Sequence, residues 1–121
     1  MCLFCELNPN SILMENAFGF VMKDQYPVSE GHLLIISKQH FSDWFSASLE
    51  TQTALMELVN QAKLWLSETY SPQGFNIGMN CGKAAGQTIM HLHIHLIPRY
   101  ENDTPNPAGG VRGVIPGKQG Y

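Results

Sequence analysis

Positive charge is scarce in this chain and nowhere concentrated. The seven basic residues, Lys23, Lys38, Lys63, Lys83, Arg99, Arg112 and Lys118, stand against ten acidic ones, a formal net charge of −3. No basic stripe runs along any segment, so binding to a nucleic-acid backbone is not expected. Long apolar runs are missing too. The longest aliphatic stretch, Leu33 to Ile36, falls far short of the ~20 residues that cross a bilayer. Residues Met1 to Leu7 carry no positive charge and no extended apolar segment, so neither a signal peptide nor a membrane partner is expected. Cysteine is sparse and odd in number, three in all, which argues against a disulfide scaffold and fits a reducing, cytoplasmic setting. Internal repeats and a composition break are also lacking. A chain of 121 residues with 44% hydrophobic content reads as one soluble domain over 1–121, with its core in about 2–99.

Against this background the histidines stand out. Five occur in the chain, and three of them, His91, His93 and His95, alternate with Leu92, Ile94 and Leu96 before Ile97 and Pro98. Side chains of an extended strand point alternately to its two faces. The three imidazoles therefore share one face, and the three aliphatic residues share the other, available to a core. The rise of a strand spaces neighbouring histidines by about 6 to 7 Å, which suits an extended polyanion such as a phosphate chain.

The rest of the chain reads as a small α+β protein. Ile12 to Glu15 and Phe18 to Lys23 read as two short strands around an Asn16-Ala17 turn. Asp24 ends the second, and Pro27, Ser29 and Gly31 mark a loop. His32 to Ser37 is a strand aliphatic on both faces, hence interior to a sheet. Ser42 to Ser46 is short enough for a single helical turn. Ser48 is an N-cap, with Glu50 in the first turn. Leu55, Leu58, Val59, Ala62 and Leu66 then form one face of a long helix ending near Tyr70, ahead of Ser71-Pro72. Trp65 is expected to pack there as well. Phe75 to Asn80 reads as a further strand. Gly78 to Lys83 has neither the glycine spacing nor the hydroxyl residue of a phosphate loop and is rejected as one. The tail 100–121, rich in Pro, Gly and Asn, is expected to be mostly irregular. At the other end, Cys2-Leu3-Phe4-Cys5 is half a metal site, a redox pair or two inert thiols. The missing strand before it favours metal over redox.

With these segments in view, the chain resembles the histidine triad family of nucleotide hydrolases and transferases, in its zinc-containing C-x-x-C subset. His91 to Ile97 meets the family signature of alternating histidines and apolar residues. Gly31-His32 before four aliphatic residues and Gly86-Gln87-Thr88 upstream of the triad are similar to two further family segments. The resemblance implies an antiparallel sheet of about five strands with one long helix, usually paired as a homodimer. It implies His93 as nucleophile, His95 and His32 on the phosphates, Asp24 on ribose hydroxyls, Asn80 near the phosphate, and Gln87 and Thr88 near the leaving group. It also implies a structural Zn²⁺ on Cys2, Cys5, His40 and His91, and a nucleotide substrate, a purine by the same token.

The residue types suit that chemistry. An unprotonated imidazole is a good nucleophile near neutral pH. Attack on an α-phosphorus would give a nucleotidyl-histidine that water resolves. Imidazolium groups, a backbone amide and neutral donors are expected to stabilise the charge spread over the transferring phosphoryl group. A carboxylate such as Asp24 accepts two hydroxyl protons, so it suits a ribose rather than a phosphate. Two other readings compete: the triad itself as ligands of a catalytic metal, and a non-catalytic nucleotide-binding or scaffold protein.

Overall fold

The computed structural model describes residues 2–121. Its sheet has five strands: β1 (Ile12–Glu15), β2 (Gly19–Lys23), β3 (Leu33–Ser37), β4 (Gly74–Gly78) and β5 (His93–Arg99). They lie in the order β1-β2-β3-β5-β4, every neighbour antiparallel. One helix, α1 (Leu49–Thr69), packs across one face. The fold is α+β, as the pattern of segments predicts.

The sequence pattern explains each element. Ser48 caps α1 by accepting from Thr51 N, and the helix ends where Tyr70 N closes on the Leu66 carbonyl, just before Ser71 takes a positive φ of 54°. Leu55, Leu58, Val59, Ala62 and Leu66 form its buried stripe and meet Val21, Leu33, Ile35, Leu92, Ile94 and Leu96 from the sheet. Trp65 packs at the margin of this core, edge-on to Tyr70. β3 is the middle strand and is buried along its whole length. Its other face, Leu34 and Ile36, joins Phe20, Met22 and Phe4 in a second, smaller apolar cluster away from the helix. Gly19 on β2 lies where α1 crosses: a Cβ there would stand 2.4 Å from Leu55 Cδ2.

Several boundaries are tighter than the apolar pattern predicts. β2 begins at Gly19 because the Asn16 carboxamide accepts from Phe18 N and Gly19 N and holds both in the turn. β3 begins at Leu33 because His32 N is drawn into a turn by the Ser29 carbonyl. β4 ends at Gly78, which leaves Asn80 in the following loop. The expected single turn over 42–46 is a 3₁₀ turn, Trp44–Ser46, capped by Asp43. In the tail, Gly110–Val114 forms a 3₁₀ turn, and Arg99 grips Asp103 through two 2.8 Å bonds.

The histidine strand departs most from expectation. It begins at His93, two residues late. Ser37 N still reaches the Leu92 carbonyl at 3.3 Å, but Leu92 N bonds the Phe41 carbonyl at 2.7 Å instead of the Ser37 carbonyl. The freed Ser37 carbonyl accepts from His91 Nε2 at 2.7 Å. The alternation of faces nonetheless continues through this break. Leu92 enters the helix-side core, while His91 meets Phe4 on the opposite side.

Candidate active site

On the face away from α1 the sheet floors a cavity of about 340 Å³. His93 and His95 enter it from β5, and His32 and Asp24 from the loop ends beside β3 and β2. Asn80 and Thr88 line it from the β4–β5 connection. Six of the residues predicted from sequence thus converge on one space. The imidazoles of His93 and His95 stand 5.4 Å apart between ring centroids.

Hydrogen bonds assign the histidine tautomers. Backbone Val28 N–H can only donate, so His32 Nδ1 accepts it and His32 Nε2 carries the proton. His32 Nε2–H then donates to His95 Nδ1 at 2.9 Å. His95 is left with Nε2–H as its own donor. His93 Nδ1 lies 2.7 Å from the His91 carbonyl, which can only accept, so Nδ1 is protonated and Nε2 keeps its lone pair. His91 donates Nε2–H to the Ser37 carbonyl, which leaves its Nδ1 unprotonated and facing the Cys2 and Cys5 sulfurs.

Electrostatics favour neutral rings. Burial pushes His32 below the usual histidine range, with the nearby Asp24 carboxylate pulling it back up. Burial also lowers His95, helped by His93 and His32 and opposed by Asp24. Both shifts favour the neutral imidazole over the imidazolium in the free protein. Desolvation outweighs the carboxylate because His32 is only 3% exposed and Asp24 Oδ2 stays 3.4 Å from its Nε2. The other Asp24 oxygen accepts from Tyr26 N at 2.8 Å.

Gln87 differs from expectation. It lies outside the cavity, 4% exposed, with its amide fully committed. Its Nε2 donates to the Ser42 and Ile89 carbonyls at 2.6 and 3.0 Å, and its Oε1 accepts from Gly82 N at 2.8 Å. No donor remains for a leaving group. Gln87 pins the loop that presents Asn80 and Thr88, because a buried primary amide is held where backbone groups satisfy it.

Beside the cavity lies a second cluster. The Cys2 and Cys5 sulfurs and one ring nitrogen each of His40 and His91 all fall within 4.8 Å of one another. His91 Nδ1 is 3.2 Å from Cys2 Sγ and 3.5 Å from Cys5 Sγ, and His40 Nδ1 is 3.4 Å from Cys5 Sγ. Two thiols and two imidazoles are a donor set for a tetrahedral soft-to-borderline ion. His91 fits the role further, since a carbonyl on its far nitrogen fixes the ligating one. The four residues can therefore hold a metal ion. Asp24, His32 and His95 also place donor atoms within 4.8 Å of one another. There the Val28 N–H on His32 Nδ1 forces the proton onto Nε2, the atom a metal would need. The triad's own nitrogens diverge, His91 toward the thiols and His95 Nδ1 toward His32, so they share no common ligand position.

Comparison with known proteins agrees with this geometry. The profile of the HIT domain matches residues 6–102. The chain belongs to the HIT domain family. An uncharacterized HIT-like protein of Mycoplasma genitalium is 36% identical over 104 residues, 83% of this chain and 74% of the relative. An adenosine 5′-monophosphoramidase of Schizosaccharomyces pombe is 30% identical over 102 residues, 81% of this chain and 74% of the relative. Among solved structures, a Zn-bound histidine triad family protein from Mycobacterium smegmatis superposes with a TM-score of 0.79 at 30% identity, covering 87% of this chain and 79% of that one. HIT relatives named as hydrolases support a nucleotide-hydrolase class of activity in general.

Sequence reasoning missed the cavity's outer wall. Leu3, Phe4 and Leu7 line it, with Phe4 set edge-on to His93 at 5.1 Å between centroids. A signal was present. If Cys2 and Cys5 both reach His91, the residues between them must lie near His93, two positions away.

Proposed function

We propose that this protein is a nucleotide hydrolase or nucleotidyltransferase that cleaves at the α-phosphate of a nucleotide conjugate, with His93 as nucleophile. One observation carries the reading: Nδ1–H of His93 is held on the His91 carbonyl, which leaves the Nε2 lone pair free beside the cavity. Attack forms an Nε2–phosphorus bond and breaks the bond to the leaving group, which departs with the electron pair and takes up a proton. The ring becomes cationic, and its Nδ1–H bond to the carbonyl strengthens as it does so. Water then attacks phosphorus, releases the nucleoside monophosphate and restores Nε2. His95, through Nε2–H, donates to a phosphate oxygen, and His32 holds the ring that does so. Asn80 and Thr88 supply neutral donors to the phosphate and leaving group, and Asp24 accepts from ribose hydroxyls. The apolar lining, with Met22, Leu34 and Ile89, suits a flat base, and a purine is the base we propose. Compatible conjugates are nucleoside phosphoramidates and dinucleoside polyphosphates.

Cys2, Cys5, His40 and His91 would hold a zinc ion, which when bound supplies structural cross-links between the N-terminal turn and the start of the histidine strand. We further propose a single domain over 1–121, a cytoplasmic location, consistent with three free thiols among the described residues, and a homodimer.

The test is the intermediate. His93→Ala should cut turnover by several orders of magnitude while nucleotide affinity changes far less. A mildly alkaline quench should preserve the acid-labile N–P bond, and mass spectrometry should find a nucleotide-mass adduct on the peptide spanning His91 to Pro98. Inversion of configuration at a chiral α-phosphorus would sink the two-step mechanism, since two in-line displacements give net retention.

A further inference from the structure

Residues 2–11 are held to the rest of the fold by the packing of Phe4, Cys2 and Leu7 on the smaller apolar cluster and by few hydrogen bonds. Their backbone bonds are local, Cys5 N to the Cys2 carbonyl, Ser11 N to that of Asn8 and Ile12 N to that of Pro9. Among the described residues, the only side-chain hydrogen bonds from this segment to the remainder of the chain join Cys2 and Cys5 to His91 and His40. Yet the segment carries Leu3, Phe4 and Leu7, three residues of the cavity wall. Phe4 is 7% exposed and lies at the centre of this arrangement. It sits on the 3₁₀ turn Leu3–Cys5, between the two thiols, and packs edge-on against both His91 and His93.

We infer that metal binding at Cys2, Cys5, His40 and His91 and nucleotide binding in the cavity are energetically coupled, with Phe4 as the positioning residue that joins them. A metal ion on the two thiols would immobilise the turn on which Phe4 rides. That fixes the ring against His93 and holds the apolar wall that a base would pack on. A nucleotide in the cavity, in turn, orders the same wall and so organises the two thiols for metal. Coupling of this kind is reciprocal: each ligand must raise the affinity of the other by one common factor. The inference rests on the nucleotide reading of the cavity and extends it to regulation: metal availability would set how tightly substrate is held. Nothing in it requires the metal to touch substrate.

Equilibrium binding tests this without turnover. AMP and GMP are titrated into the full chain loaded with Zn²⁺ and into the same chain stripped by a chelator. Zinc affinity is measured by competition with a chromophoric chelator, with and without saturating nucleotide. We expect the nucleotide to bind about fivefold or more tightly to the loaded protein, and zinc affinity to rise by the same factor. Hydrogen exchange of the loaded protein should slow in the peptide covering residues 2–11 when nucleotide is added, a measurement that does not depend on the stripped form staying folded. Phe4→Ala should still bind zinc, while its zinc affinity no longer responds to nucleotide, and Phe4→Leu should restore part of the response. Equal nucleotide affinity with and without zinc overturns the coupling and leaves the nucleotide reading intact. Full coupling in Phe4→Ala overturns the role given to Phe4. Failure of both nucleotides to bind the loaded protein overturns the coupling together with the reading beneath it.

Discussion

Replacing Gln87 by Ala separates a structural role from a catalytic one. The substitution deletes three hydrogen bonds, to Gly82 N and to the Ser42 and Ile89 carbonyls. Each is worth about 0.5–1.5 kcal/mol net, more where the abandoned partner stays dry. Gly82 and Ile89 are partly exposed and Ser42 is exposed, so water will replace some of what is lost. A total of about 2–3 kcal/mol follows. With an unfolding entropy near 2.1 cal/mol/K per residue, that lowers the melting temperature by about 8–12 °C. Gln87→Glu should be worse, since it exchanges two donated N–H bonds for a carboxylate facing two carbonyls. The assay is thermal unfolding paired with turnover of a nucleoside 5′-phosphoramidate well below the variant's melting point. We expect a large loss of stability and a fall in kcat of less than about tenfold, arising from looser placement of Asn80 and Thr88. An unchanged melting temperature with a kcat reduced a hundredfold or more would refute the clamp and return the amide to the leaving group.

Three further outcomes are expected. Since burial lowers His32 and His95 in the folded state, the unfolded chain binds protons first as pH drops below about 6.5. Stability should therefore be fully present above that value and decline as pH falls below it, and urea midpoints at pH 7.5 and 5.5 should differ less in a His32→Asn/His95→Asn variant. Cys2→Ser/Cys5→Ser should lose its stoichiometric zinc by elemental analysis and unfold at lower temperature, yet keep measurable turnover; activity tracking metal content one to one in folded protein would make the metal catalytic. Sedimentation at micromolar concentration should show a dimer, since β1 and β4 leave unpaired outer edges, and a monomer at every concentration would reject this.

The fold was legible where a period was long enough to identify a face. The α1 stripe from Leu55 to Leu66 and the cap at Ser48 lie where the pattern placed them. The uninterrupted apolar run of β3 marked the centre of the sheet, because only a central strand is covered on both faces. Boundaries were less legible wherever a side chain competed with the ladder. Asn16 shortens β2, and a turn at Ser29 withholds His32 from β3. Neither competition can be read from hydrophobicity, since it turns on whether a polar group reaches one particular N–H. The surroundings of Gln87 were hidden for a related reason. A polar residue next to a motif looks available, and only the positions of Ser42, forty-five residues away in sequence, and Gly82 show that its amide is fully used.

The chemistry of the triad shows where pattern stops and geometry begins. Alternation puts His91, His93 and His95 on one face but treats them as equivalent. What separates them is the backbone around the point where the ladder breaks. Leu92 N turns to Phe41, so the Ser37 carbonyl is released to His91 and directs its Nδ1 to the thiols. On the opposite edge of the strand, β4 stops pairing at Gly78 and His95. The His91 carbonyl beyond that point has no strand partner and is open to His93 Nδ1–H. His95 stands one step further along, still within the paired region, and takes its proton pattern from His32 instead. Three identical side chains thus turn to the two thiols, to the His91 carbonyl and to His32 because two ladders end two residues apart on either side of one strand. Extending β4 until residue 82 paired with His91 would be expected to occupy that carbonyl and release the His93 tautomer. The short β4 therefore helps to set which nitrogen of His93 carries the proton.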